Sequence, residues 1–492
     1  MRVWFHLAIG AAITLSAPAA ALAQDAPEEG DEEPNNMVDR LAQQMADAFA
    51  PRWEGPRVEW PVPAPRPVSR GVYGSWLYPV NVHLSVRSDD RMAAGALAAL
   101  EEAHDYLART GWSVPVSDGG AGGTEGFDLY LSPVAPFDRE PTDVTDARPE
   151  DDDPPLRRYA GVSYDAPVGW GGLDRVTTFA VVDPDAGDPA ILRPCVISTY
   201  VQAALLSSDP AEAEAWRVAT GDYVAWLLTG HFGCSDEPLV RHQHDSWQSW
   251  VSRDPESGHG GALFLAMLSA RTDGLSGRFI RDLWSGAQQL TWEGEQLRAA
   301  PDMWQVIRVV MDVGADPLPR LVEEFAVARY FIGPPSRSAG APLHFLASLP
   351  EDAEVPVLGR VSWDQLPRRF EPRELEVEPY GSAYVVVDTT DAPPASRVRI
   401  WLRGELGVGW SLIAVRLDAD GFERGRVRAP VRLYDPRSYI PLELTDPETA
   451  SVVIVVTNMG LRLPDADEPD DQVRSFRMIL DRATDDPTPS PE

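Results

Sequence analysis

Metal-binding and acid–base side chains crowd into one stretch, HFGCSDEPLVRHQHDSW, from His231 to Trp247. Imidazole nitrogens and carboxylate oxygens are transition-metal ligands. His231, His242 and His244, with Asp245 beside the last and His259 further on, therefore form a candidate metal set. A His-x-His pair chelates well from a strand or loop, where alternate side chains share a face. This segment reads as loop then helix, and a helix turns alternate residues about 200° apart. Solvated or locally hydrogen-bonded histidines are the plainer reading, so no cofactor is expected, with zinc as the alternative. A serine nucleophile would need a G-x-S-x-G turn between strand and helix; neither GVYGS nor PYGSAY supplies one. The GGAGG run from Gly119 lacks the lysine of a phosphate loop, and LDADG (Leu417–Gly421) is too short for an EF-hand and reads as a hairpin turn.

Two cysteines, Cys195 and Cys234, are the only thiols. Residues 1–23 combine Arg2, a short apolar run and small residues at Ala21 and Ala23, which is the pattern of a secretory signal peptide. Export to the periplasm or beyond the cell favours a Cys195–Cys234 disulfide, worth about 3–4 kcal/mol in the chain-entropy model. The formal charge is −33, and all 43 basic residues are arginine. Such an acidic surface excludes nucleic acid and anionic membranes as natural partners. No later apolar run predicts membrane insertion.

The elements that must position these residues follow from periodicity. After a leader expected to be flexible, acidic and proline-rich (24–67), VNVHLSV alternates as a strand and DDRMAAGALAALEEAHDYLARTG has helical spacing with an Asp N-cap and a closing glycine. GFDLYLSPV and VTTFAVVDP are further strands, separated by an acidic, proline-rich insertion from Asp138 to Arg158. From Cys195 to about Ala328 the spacing predicts helices, one of them starting at Asp209–Pro210. This organises residues 68–335 as an α+β and helical domain, followed by a linker (336–372). From 373 to 481, short valine-rich strands with regular turn signals predict an immunoglobulin-like β-sandwich. The tail, 482–492, is too polar to fold.

The strand TFAVVDP leading into a helix pair, the DPAEAEAW helix start, GALFLAMLSARTDG with FIRDLW, and PYGSAYVVV behind them resemble the bacterial secreted zinc metallopeptidases of the gluzincin type. The resemblance spans roughly Val80 to Asp481 and implies a zincin-like domain of small sheet plus helical bundle. In that family the first helix of the pair carries H-E-x-x-H, which sets two imidazoles on one face and a glutamate at the zinc-bound water. Laid onto this chain, the motif falls on Ser198, Thr199 and Gln202, and the third-ligand region on Ala219 to Asp222. Serine and glutamine are poor zinc ligands, and threonine cannot act as the general base. The resemblance thus implies a pseudoenzyme, with no catalytic residue, that binds a protein or peptide. Two alternatives stand beside it: an active metal-dependent hydrolase with its site moved to His231–His259, and a structural protein of the cell envelope.

Overall fold

The computed structural model describes residues 57–58, 63–134, 159–167, 175–184, 189–251, 255–288, 297–298, 300–311, 318–333, 343–346, 349, 351–370, 376–429, 437–460 and 473–483. The expected signal peptide, most of the leader, the acidic insertion and residues 484–492 of the tail lie outside these residues, while Arg482 and Ala483, expected in the tail, end the last strand. Pro56 to Glu492 forms one compact unit.

A short strand β1 (Arg57–Val58) pairs antiparallel with β7 (Leu297–Arg298). The N-terminal sheet comprises β2 (Gly71–Gly74), β3 (Val80–Leu84), β4 (Phe127–Leu131), β5 (Ala160–Pro167) and β6 (Val176–Val182), in the order β2-β3-β4-β6-β5. β3, β4 and β6 run parallel, and the edge strands β2 and β5 run antiparallel to their neighbours. β3 and β4 are joined through α1 (Asp90–Thr110), capped by the Asp89 side chain on the Met92 amide and ended by Gly111 in the left-handed region. One sheet face carries Val82, Leu129 and Ala180 into a core shared with α1 and with α2 (Pro189–Ser208). The other carries Tyr130, Phe179 and Val181, partly covered by Ala64 of the leader.

α2 begins at Pro189, earlier than the expected Cys195, and contains Pro194 in its second turn, where the ring removes one N–H from the helix ladder. It is long and apolar enough to cross a membrane by composition, yet 78% of it is buried inside the protein. The helix expected from Asp209 starts instead at Glu214: α3 is Glu214–Thr229. Asp209 caps a tight turn by accepting the Glu212 amide at 3.2 Å, and that turn ends α2's direction before α3 begins. Next come α4 (Glu237–His244), α5 (Pro255–Thr272), α6 (Arg278–Ala287), α7 (Met303–Met311) and α8 (Leu318–Tyr330).

The region assigned to a linker supplies β8 (Gly359–Ser362) and β9 (Arg368–Phe370), strands too short to show periodicity. With β10 (Ser382–Asp388), β11 (Arg397–Gly404), β12 (Trp410–Leu417), β13 (Glu423–Ala429), β14 (Arg437–Glu443), β15 (Ser451–Asn458) and β16 (Phe476–Ala483) they form two sheets. Their orders are β13-β12-β15-β10-β8 and β14-β11-β16-β9. Val385, Leu412 and Ile454 of the first share a core with Ile400, Ile440 and Met478 of the second. The first sheet is buried on its other face too, where Tyr384, Ile413 and Val453 meet Ala326, Val327 and Phe331. Burial on both faces explains why VVV in β10 and VVIVV in β15 do not alternate with polar residues.

Candidate functional site

Ser198, Thr199, Gln202 and Asp222 lie where α2 crosses α3. Their four-residue spacing puts Ser198 and Gln202 on one helix face, and Gln202 Nε2 donates to Ser198 Oγ at 3.0 Å. Ser198 Oγ donates in turn to Asp222 Oδ1 at 2.8 Å. Thr199 is turned away: its hydroxyl donates to the Cys195 carbonyl within its own helix at 2.7 Å. Close crossing depends on Gly221, where a Cβ would stand 2.7 Å from the Ser198 carbonyl oxygen. The Cys195–Cys234 disulfide fastens the start of α2 to the segment after α3, with Cα atoms 4.0 Å apart. Gly233, left-handed at φ 55, lies so close that a Cβ would meet Asp222 Oδ1 at 2.2 Å.

The second oxygen of Asp222 receives His259 Nδ1 at 2.5 Å. His259 comes from α5, whose SGHGG segment lets three helices approach. A Cβ on Gly258 would strike the Ala215 carbonyl of α3, one on Gly260 would strike the His242 ring of α4, and Gly261 sits 3.0 Å by the same measure from Ala219 Cβ. Ala219 therefore belongs to the α3–α5 packing rather than to the Asp222 hydrogen bonds. His242 is buried beside Gly260 with its Nε2 unpartnered. Burial first, then the Arg329 guanidinium and His259, hold its imidazole well below the usual histidine range. Asp236 is pushed up by burial and by Asp222, against the opposing pull of His231.

The carboxylate stands in the middle of this chain, with serine and histidine on opposite oxygens. In a hydrolytic triad the histidine stands between, so that it can take the serine proton. Here His259 does not touch Ser198, and Ser198 and Asp222 are only 1% and 3% exposed. The Ser198 hydroxyl is buried, and it meets a carboxylate rather than an imidazole. Zinc fits no better. Of the motif positions only Asp222 is a carboxylate, and both its oxygens already accept hydrogen bonds. Of the four histidines, His242 is buried whereas His231 and His244 are exposed, and His259 joins Asp222. Among the described residues no group of three or more His, Cys, Asp or Glu is arranged to hold a metal ion. The Asp222–His259 pair escaped sequence reasoning. Its available signal was a histidine flanked by glycines in an otherwise apolar helix.

A second polar cluster lies on the sheet face opposite the helices. Arg66 of the leader donates to Asp128 Oδ2 at 2.5 Å, to Asp118 Oδ2 at 2.6 Å, and to both oxygens of Asp165 at 2.9 and 2.5 Å. Its guanidinium lies 4.8 Å from the centre of the Phe179 ring. Asp128 also accepts Asn81 Nδ2 and the Thr124 hydroxyl. His83 Nε2 approaches Asp128 Oδ1 at 3.0 Å, off the direction of a good hydrogen bond. Burial raises the Asp128 carboxyl, but His83, Thr124 and Arg66 together outweigh it and hold the group below the usual carboxylate range.

Comparison with protein-family models finds none that matches the chain, and comparison with curated proteins finds no match either.

Proposed function

We propose that this chain is an exported zincin-like protein, with an immunoglobulin-like sandwich behind it, that does not hydrolyse peptides through a metal and acts by binding a protein or peptide. The observation that carries this reading is the chain Gln202–Ser198–Asp222–His259. On that reading Ser198 and Gln202 stand where a gluzincin would carry its zinc-binding histidines, and Asp222 accepts a hydrogen bond on each oxygen. The mixed sheet with α1 and α2 on one face, and the two facing sheets behind, support the same relationship.

The test is the metal content of the purified full chain, with thermal unfolding in the presence and absence of chelator. Zinc below a tenth of stoichiometry and an unchanged midpoint are expected, because no metal contributes to folding. Near-stoichiometric zinc, or peptide cleavage stopped by chelator, would overturn the reading. In the complementary test, Ser198→His, Thr199→Glu and Gln202→His with Asp222→Glu restore the ligand types, and metal uptake by that variant alone supports the relationship. A second reading, acid–base hydrolysis, draws on His259, which is held by Asp222 with its side chain 26% exposed. It requires hydrolysis that survives chelator and is lost in His259→Ala.

A further inference from the structure

Trp76 and Leu77 stand at the apex of the β2–β3 hairpin, 99% and 74% exposed. The apex is firmly built. Ser75 Oγ accepts the amides of Leu77 and Tyr78 at 3.0 and 3.1 Å and donates to Glu101 Oε1 at 2.6 Å. The Ser75 amide donates to the Val80 carbonyl at 3.0 Å, and the Tyr78 hydroxyl donates to Asp105 Oδ1 at 3.0 Å. A tryptophan held wholly in water adds nothing to the core. Presented on an ordered backbone, it is the anchor that a binding hot spot needs, with the cost of ordering already met. Beside it β2 is the outermost strand of its sheet, with Val72 44% exposed. An extended segment can pair with such an edge.

We propose that this hairpin and the β2 edge dock a protein partner offering an apolar socket rimmed by arginine or lysine. Charge selects that occupant. Glu101 lies under the apex, Glu125 is next to Gly126, which packs on Pro79, and Asp90 reaches Tyr73 of β2, while Asp105 is offset by Arg109 and Arg70 stands at the end of β2 remote from Trp76. With a formal charge of −33, the chain is repelled both by an anionic bilayer and by a second copy of itself. The surface lies on the first strands of the sheet, shares no residue with the Ser198–Asp222 hydrogen bonds, and is independent of the metal-site reading.

The test selects a random displayed peptide library against the immobilised full chain, then measures the winning synthetic peptides by fluorescence anisotropy. Peptides pairing an aromatic or aliphatic residue with Arg or Lys are expected. Trp76→Ala should weaken them by about 30-fold or more, the scale of a hot-spot tryptophan. Glu125→Arg should weaken them less and flatten their salt dependence. Thermal midpoints should not move, because Trp76 buries no surface. Failure to select any peptide whose binding depends on Trp76 overturns the proposal. So does Trp76-dependent flotation with phosphatidylcholine or phosphatidylglycerol vesicles, or a Trp76-dependent dimer in sedimentation.

Discussion

On one face of the N-terminal sheet, Asp128 takes an arginine shared with two other aspartates, together with a threonine and an asparagine. On the helical side, Asp222 takes one serine and one histidine, and among the described residues no guanidinium is hydrogen-bonded to it. Both carboxylates are almost wholly buried, so burial does not distinguish them. Their partners do. A guanidinium donates several fixed hydrogen bonds and cannot lose its charge, which makes the Asp128 cluster a lock. His259 brings a single ring nitrogen to Asp222, and its side chain is 26% exposed, which leaves the Asp222 cluster held by fewer donors.

The contrast is broken most directly at Arg66. Arg66→Ala leaves Asp118 and Asp128 buried without their cation and should cost about 3–5 kcal/mol in urea unfolding. A loss below about 1 kcal/mol would mean that the cluster is no lock. Next in size is the disulfide. The double change Cys195→Ser and Cys234→Ser should cost about 3–4 kcal/mol, and should speed proteolysis near Gly233 while sparing the Arg66 strap. Asp222→Ala should cost less, about 1–3 kcal/mol, because Ser198 and His259 each lose one partner and His259 can turn to water. An Asp222→Ala loss larger than that of Arg66→Ala would reverse the comparison.

The smallest effects are in pH. The folded value of Asp128 is depressed, so its stabilisation is present above the ordinary carboxylate range and is lost as pH falls through the folded value. His242 is also depressed. Its unfolded form binds a proton first, so stability declines as pH falls below the usual histidine range, by at most about 1.4 kcal/mol per pH unit. Urea midpoints measured from pH 7.5 to 5 should therefore slope downward in the native chain and flatten in His242→Gln. Equal slopes would remove His242 as the cause. Glu212 acts oppositely: burial, then Asp302 and Asp209, push its carboxyl well up, so its contribution is lost as pH rises through the raised value.

What the sequence determined by itself was local or nearly so. Two cysteines in the whole chain leave one possible intramolecular pair, and the disulfide is formed. Apolar spacing marked α1, α5 and α6, with a glycine closing α1, and the i, i+4 relation brought Ser198 and Gln202 to one face. Strand-like composition after Arg373 marked the β-rich region, while β8 and β9 were too short to leave a pattern. The start of α3 was misplaced because an aspartate followed by proline suits a tight turn as well as a helix start. Only tertiary structure decided which side chains satisfy the buried charges. His259 meets Asp222 across 37 residues, and Arg66 meets Asp128 and Asp165 across 62 and 99. Periodicity records which face of an element is apolar. It carries no information about which distant donor will arrive there, because that follows from how closely glycine-bearing helices and a strap across the sheet can pack.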